Sequence, residues 1–262
     1  MDLLETAIKA AIDSGFEINV LYKSGLIETR LKEDKTPVTN ADLAANKIIN
    51  DYLSKTGHPV LSEENKAIPF SQRKKWNSFW LVDPLDGTKE FIKGNGEFTV
   101  NIALIGNGKP IMGVIYVPVT GELYFGDSQR GSFKAIVGSD NRRDIGGIIQ
   151  SGKKLPFKSQ SKNNIVAVSR SHMNKKTEEF IKLRSTESGM PEMASRGSSL
   201  KICMVAEGKA LYYPRFGPTM EWDIAAGHAI AKFAGKTIKQ IGKSMEISYN
   251  KENLVNPDFI VE

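Results

Sequence analysis

Leu3, Leu4, Ala7, Ile8, Ala11 and Ile12 recur at intervals of three and four, which predicts an amphipathic helix at the N-terminus. A polar loop with Asp34, Lys35 and Pro37 follows. Thr39 then reads as the N-cap of a second helix with Ala45, Ile48, Ile49, Tyr52 and Leu53 on its apolar side, ended by Gly57-His58-Pro59. From 60 to 133 the pattern becomes short β-rich runs at 60–61, 79–82, 98–105, 111–117 and 123–125. Gly106-Asn107-Gly108-Lys109 and Pro118-Val119-Thr120-Gly121 read as hairpin turns between them, so an antiparallel meander is predicted. Residues 139–164 are polar and rich in glycine and lysine, as a linker or long loop would be. Beyond them, strands at 165–168 and 210–213 alternate with helices at 177–183, 199–206 and 224–233. Gly208 and Gly235 fall just past two of those helices, where C′ glycines belong. The reading is an α+β chain: an α+β unit over 1–150 and an α/β unit over 151–262.

Composition narrows the class. With 262 residues, 40% hydrophobic and 25% charged, the chain is neither disordered nor a disulfide scaffold. A single cysteine, Cys203, excludes intramolecular disulfides and multi-cysteine zinc sites. No apolar run approaches the roughly 18–20 residues that span a bilayer. Met1-Asp2-Leu3-Leu4-Glu5 has no cationic stretch of the signal-peptide kind, so a cytoplasmic protein is expected. The formal net charge is +6, yet 151–220 alone holds thirteen Lys/Arg against five Glu. That local excess is either a solvated basic face or a pocket for a multiply phosphorylated ligand.

Candidate chemistry centres on Trp80-Leu81-Val82-Asp83-Pro84-Leu85-Asp86-Gly87-Thr88. A hydrophobic strand runs into two aspartates, with Pro84 fixing φ and Gly87 permitting a tight turn. Such a turn can aim Asp83, Asp86 and the Leu85 carbonyl at one point, as a hard divalent cation requires. Each acid also has a plain alternative. Asp86-Gly87 is a common turn, Glu63 and Glu64 can be solvated loop charges, Asp223 can complement a helix dipole, and Asp42 can complete a capping box.

Taken together, these residues resemble the inositol monophosphatase superfamily of lithium-sensitive, magnesium-dependent phosphomonoesterases. The resemblance rests on Thr39-Asn40-Ala41-Asp42, the Ser62-Glu63-Glu64 segment, Asp83-Pro84-Leu85-Asp86-Gly87-Thr88 and Trp222-Asp223. Within it, Lys89-Glu90-Phe91-Ile92, the run 96–104, Gly197-Ser198-Ser199-Leu200-Lys201 and the run 213–218 are similar to the bacterial 3′(2′),5′-bisphosphate nucleotidases of the CysQ type. The inositol phosphatases tend to carry Thr-Asn where this chain has Thr88-Lys89. Residues 137–162 match no pattern.

The resemblance implies a layered αβαβα sandwich with metals between the halves. It implies Glu63, Asp83 and the Leu85 carbonyl around a first Mg²⁺ and Asp83, Asp86 and Asp223 around a second, with a third ion left open. Thr88 would orient the attacking water and Asp42 would help remove its proton. Glu64 would stand behind the ligands, and the Gly87 and Thr88 N–H groups would hold the scissile phosphate. Substrate contacts would come from Glu63, Leu85, Asp86, Gly87, Thr88 and Asp223, with His172, Ser198, Lys201 and Arg215 on the nucleotide side. Read from the residues alone, Ser198 is an N-cap or an anion site, Lys201 and Arg215 can be solvated cations, and a lone histidine such as His172 can be structural. Trp76, Met173, Tyr212 and Tyr213 read as packing residues.

The expected activity is hydrolysis of adenosine 3′,5′-bisphosphate to AMP and phosphate in sulfur assimilation, with 3′-phosphoadenylyl sulfate as a second substrate. The partner is thus a small nucleotide bisphosphate, not a nucleic acid. One alternative keeps the chemistry but changes the substrate to inositol monophosphate or fructose 1,6-bisphosphate; another is a basic module binding RNA or an anionic membrane surface. Oligomeric state and peripheral association with the inner membrane stay open.

Overall fold

The N-terminal periodicity produces the longest helix of the chain. α1 (Leu3–Ser24) opens on Asp2, whose side chain accepts the Leu4 N–H, and buries Leu4, Ala7, Ile8, Ala11 and Ile12. The computed structural model describes residues 2–32, 36–157, 164–170, 173–185 and 189–262. After α1 come β1 (Thr29–Leu31), β2 (Pro37–Thr39), α2 (Asn40–Leu53), β3 (Val60–Ser62), α3 (Phe70–Arg73), β4 (Ser78–Asp86) and α4 (Thr88–Ile92). The meander follows as β5 (Thr99–Gly106), β6 (Lys109–Val117), β7 (Glu122–Asp127) and β8 (Gly131–Ile136), then α5 (Ile145–Gln150) and β9 (Lys153–Lys154). The remainder is β10 (Ile165–Ser169), α6 (Lys175–Arg184), β11 (Glu192–Arg196), α7 (Leu200–Ala206), β12 (Tyr213–Arg215), α8 (Glu221–Phe233), β13 (Ile238–Gln240) and β14 (Phe259–Val261).

A seven-stranded sheet runs β3-β4-β5-β6-β7-β8-β9 in order. The β3–β4 pair is parallel and all others are antiparallel. Strand alternation sends successive residues to opposite faces. Trp80 and Val82 join α1 and α2 in one core, while Phe79 and Leu81 join α7 and α8 in another. A second layer of strands lies beyond α7 and α8: β12-β14-β13, and the parallel pair β10-β11. An isolated parallel bridge from Val166 to Tyr212 joins these two pieces. Val166, Val168 and Ile260 on their outer face pack on Ile181 and Phe180 of α6. The order of layers is therefore helix, sheet, helix, sheet, helix, the αβαβα sandwich expected.

The meander and both turns lie where the pattern puts them, and Gly208 and Gly235 both have positive φ. Three features differ. The expected linker at 139–164 contains α5 and β9, while 158–163 fall outside the described residues. α5 starts because Asp144 accepts the Gly147 N–H, a local cap that outweighs two glycines in the helix. The strand expected at 210–213 begins at Tyr213, since β14 pairs only with Tyr213, Pro214 and Arg215. Strands β1, β2, β11, β13 and β14 were not anticipated. Four of them are three residues long, too short for an alternation to declare itself. Among the described residues, no helix is long and apolar enough to cross a membrane.

Candidate active site

Two helix starts and two strand ends deliver the acids. Asp42 is the third residue of α2 and closes a capping box with Thr39. The Thr39 N–H (2.8 Å) and hydroxyl both donate to Asp42 Oδ2. That leaves Oδ1 to accept from the Thr88 hydroxyl at 3.2 Å. Asp223 holds the same place in α8, where its Oδ2 accepts the Met220 N–H at 2.9 Å. A carboxylate in the first turn favours the positive end of the helix dipole, so each placement also stabilises its helix. The capping and the site readings of Asp42 are thus compatible.

β4 carries Asp83 to the mouth of the sheet, where it is 2% exposed. The strand register breaks between Asp83 and Asp86, and the Leu85 N–H folds back onto Asp83 Oδ1 at 3.1 Å. Gly87 follows at φ +96°, a conformation that side chains resist, and lets the chain turn into α4. Glu63 leaves β3 with its N–H on the Val82 carbonyl at 3.1 Å. Carboxylate oxygens of Glu63, Asp83 and Asp223 lie within 4.8 Å of one another. Asp86 lines the same cleft, with one of its oxygens turned aside. Its Oδ2 accepts from the Ser198 hydroxyl (2.7 Å), the Ser199 hydroxyl (3.3 Å) and Asn101 Nδ2 (3.3 Å).

Burial and mutual repulsion hold Asp83 and Asp223 well above the usual carboxylate range. Glu63 is raised by burial and by Glu64 and Asp86, against the pull of Lys32. Burial also raises Asp42, partly offset by its bonds to Thr39 and Thr88. Such crowding is stable with protons or with cations, and an all-oxygen donor set suits a hard divalent ion.

A cleft of about 280 Å³ is lined by Glu63, Asp83, Leu85, Asp86, Gly87, Thr88 and Asp223 together with Ser198, Lys201 and Arg215. Arg215 is 7% exposed. Its Nη1 donates to the Ser169 hydroxyl (3.3 Å), its Nη2 to the Pro218 carbonyl (3.1 Å), and its Nε has no hydrogen-bond partner among the described residues. Lys201 is buried, donates to the Ser198 and Arg196 carbonyls, and stands over the Tyr213 ring. Burial, helped by Arg215, lowers its pKa to about 8. Neither cation has a carboxylate partner among the described residues. Ser198 is not a cap: α7 starts at Leu200, and Ser198 sits at φ +49° bonded to Asp86 and to Thr99 (2.6 Å). His172 lies outside the described residues. Glu64 pairs with Lys32 rather than facing the cleft.

Sequence reasoning missed several neighbours. Lys32 donates to Glu63 (2.8 Å) and Glu64 (2.5 Å), yet a lysine in a polar loop gives no local signal. Asn101 is fully buried, bonds Asp86 and Ser199, and accepts from Thr99. A buried asparagine in an apolar strand was the available clue.

The sandwich, the carboxylates at two helix starts and the turn after β4 define a class. The sequence matches the inositol monophosphatase family over residues 2–258, and the chain belongs to that family. The family is metal-dependent, and the acidic cluster is in place for it. Two curated relatives named 3′(2′),5′-bisphosphate nucleotidase CysQ, from Shigella flexneri and Escherichia coli (strain K12), are each 44% identical over 99% of this chain and 99% of their own. The crystal structure of CysQ from Bacteroides thetaiotaomicron, described as a bacterial member of the inositol monophosphatase family, superposes with a TM-score of 0.88 at 47% identity. It covers 98% of this chain and 95% of that one.

Proposed function

We propose that the chain is a Mg²⁺-dependent 3′(2′),5′-bisphosphate nucleotidase that hydrolyses adenosine 3′,5′-bisphosphate to AMP and phosphate, with 3′-phosphoadenylyl sulfate as a second substrate. One observation carries the reading: a single cleft has crowded carboxylates around the buried Asp83 on one wall and, on the other, buried cations that have no direct carboxylate partner among the described residues. The first wall suits metal and scissile phosphate; the second suits another phosphate. The relatives named for this activity support it over their full length.

In this reading Glu63, Asp83 and the Leu85 carbonyl would hold one Mg²⁺, and Asp83, Asp86 and Asp223 a second, with a third ion left open. The ions supply charge neutralisation at the phosphoryl group and acidify the attacking water. Thr88 orients that water through its hydroxyl, which donates to Asp42 Oδ1 and so turns a lone pair outward. Asp42 serves as the base, and burial makes it a stronger one than a solvated carboxylate. Attack breaks the bond from phosphorus to the ribose 3′ oxygen. The Gly87 and Thr88 N–H groups hold the scissile phosphate, Arg215, Lys201 and Ser198 face the 5′-phosphate, and His172 approaches the nucleotide. Glu64 restrains Lys32 beside Glu63. We take 1–150 and 151–262 as two units with the cleft at their junction. A reducing cytoplasm fits the buried free thiol of Cys203.

The test is phosphate release from adenosine 3′,5′-bisphosphate, inositol 1-phosphate and fructose 1,6-bisphosphate in parallel, with and without lithium or chelator. The expected outcome is strong preference for the nucleotide, lost with either additive. Preference for the inositol or sugar phosphate overturns the substrate assignment and keeps the metal site.

A further inference from the structure

Glu97 lies between α4 and β5, and the residues it grips all belong to the opposite half of the chain. Arg170, at the end of β10, makes a two-pronged bond to it: Nε to Oε2 and Nη2 to Oε1, both 2.9 Å. The Gly197 N–H donates to Oε2 at 2.8 Å, and Arg196 Nη1 stands 3.5 Å from Oε1. The approach is close enough to exclude a side chain at 197. A Cβ there would meet the Glu97 carbonyl oxygen at 2.7 Å and the Glu97 Cβ at 3.0 Å. The strand β11 and the turn 196–199 are thereby pinned from both sides.

That turn is the one that presents Ser198, and its carbonyls at Arg196 and Ser198 anchor the Lys201 ammonium. Arg170 follows Ser169, which accepts from Arg215. Arg170 and Gly197 both line the cleft. Two of the three guanidinium nitrogens of Arg170 are taken by Glu97 and the Ser195 carbonyl, and Nη1 has no hydrogen bond among the described residues. A planar fork held on one edge is fixed in orientation, and its remaining donor suits a phosphate oxygen.

We propose that Glu97 is a positioning residue for substrate selection: its clamp on Arg170 and Gly197 fixes a guanidinium and the 196–201 turn against the second phosphate, so that bisphosphates are chosen over monophosphates. The proposal rests on the nucleotidase reading and adds Arg170 to the phosphate-reading wall. Glu97 itself touches no substrate. It acts through the groups it holds, which makes its expected signature a change in selectivity rather than a general loss.

The experiment compares wild type, Glu97→Gln and Arg170→Gln, each checked by circular dichroism and melting. KM and kcat are measured with adenosine 3′,5′-bisphosphate and with 3′-AMP, which lacks the 5′-phosphate. Binding of 5′-AMP is measured by calorimetry in chelator. Both variants should raise KM for the bisphosphate about tenfold more than KM for 3′-AMP, with kcat less affected, and should weaken 5′-AMP binding about tenfold. Equal KM rises for the two substrates, or a loss in kcat alone, overturn the proposal. If Glu97→Gln fails to fold, Arg170→Gln decides, since it leaves the Gly197 bond in place. If wild type does not prefer the bisphosphate, the nucleotidase reading falls by itself; unweakened 5′-AMP binding in the variants then overturns the clamp as well.

Discussion

The two walls of the cleft break the same rule in opposite directions. On one side Glu63, Asp83 and Asp223 crowd together, and burial plus repulsion makes their ionisation costly. On the other, Arg215 and Lys201 are buried and bonded to backbone carbonyls and a hydroxyl, with no direct carboxylate partner among the described residues. Buried charges are ordinarily paired, because desolvation exceeds what dipoles return. The cheapest repair would be to pair the walls with each other, and the fold keeps them from doing so. Asp86 stands between them, saturated on one oxygen by Ser198, Ser199 and Asn101. What each wall lacks is a ligand of opposite charge: a cation on one side and an anion on the other.

The sharpest way to break the comparison is at the acidic wall. Asp83→Asn should lower turnover by at least about a hundredfold. In chelator it should melt no lower than wild type, because a repelled carboxylate has gone. Near-native turnover in a well-folded variant would remove Asp83 from the metal site. At the basic wall, Arg215→Ala should raise KM for adenosine 3′,5′-bisphosphate by about tenfold or more relative to 3′-AMP. An equal rise for both would mean that Arg215 does not see the second phosphate.

A gentler probe titrates the basic wall. Lys201 is held near pKa 8, below the ordinary lysine value, so it is charged below that pH and neutral above it. For the bisphosphate, kcat/KM should therefore fall as pH rises past about 8, by up to about tenfold per unit. Lys201→Met should abolish that limb, and its persistence would assign it to another group. The smallest effect concerns stability. Asp83 and Asp223 have raised folded pKa values, so their protonated forms contribute stability at low pH that is lost as pH rises through those values. Protons and Mg²⁺ compete for the same oxygens, so the Mg²⁺-induced rise in Tm should be larger at pH 8 than at pH 6. An equal rise at both values would place the ion away from these carboxylates.

The two walls also differed in how far the sequence disclosed them. The acidic wall is written in local terms: Asp83, Pro84, Asp86 and Gly87 follow a hydrophobic strand, and Asp42 and Asp223 occupy recognisable helix starts. Turn and cap chemistry act over three or four residues, so short segments of sequence carry them. The basic wall is assembled from contacts that span the chain. Glu97 meets Arg170 and Gly197 across 73 and 100 residues, and on the acidic side the contact of Lys32 with Glu63 across 31 was equally hidden. A lone charged side chain in a loop gives no periodicity to read. The second sheet was obscured for a related reason, since β12 and β14 are three-residue strands whose pairing is settled by register. The direction in which Asp86 faces was likewise invisible, being decided by two serines more than 100 positions away.

The box that starts α2 has one more consequence. The Thr39 groups that satisfy the first turn of that helix also fix which oxygen of Asp42 is left for Thr88. Robustness and reactivity here share the same two bonds from Thr39, so neither can be tuned without the other. A variant library screened for heat tolerance and one screened for speed should both leave Thr39 as threonine or serine.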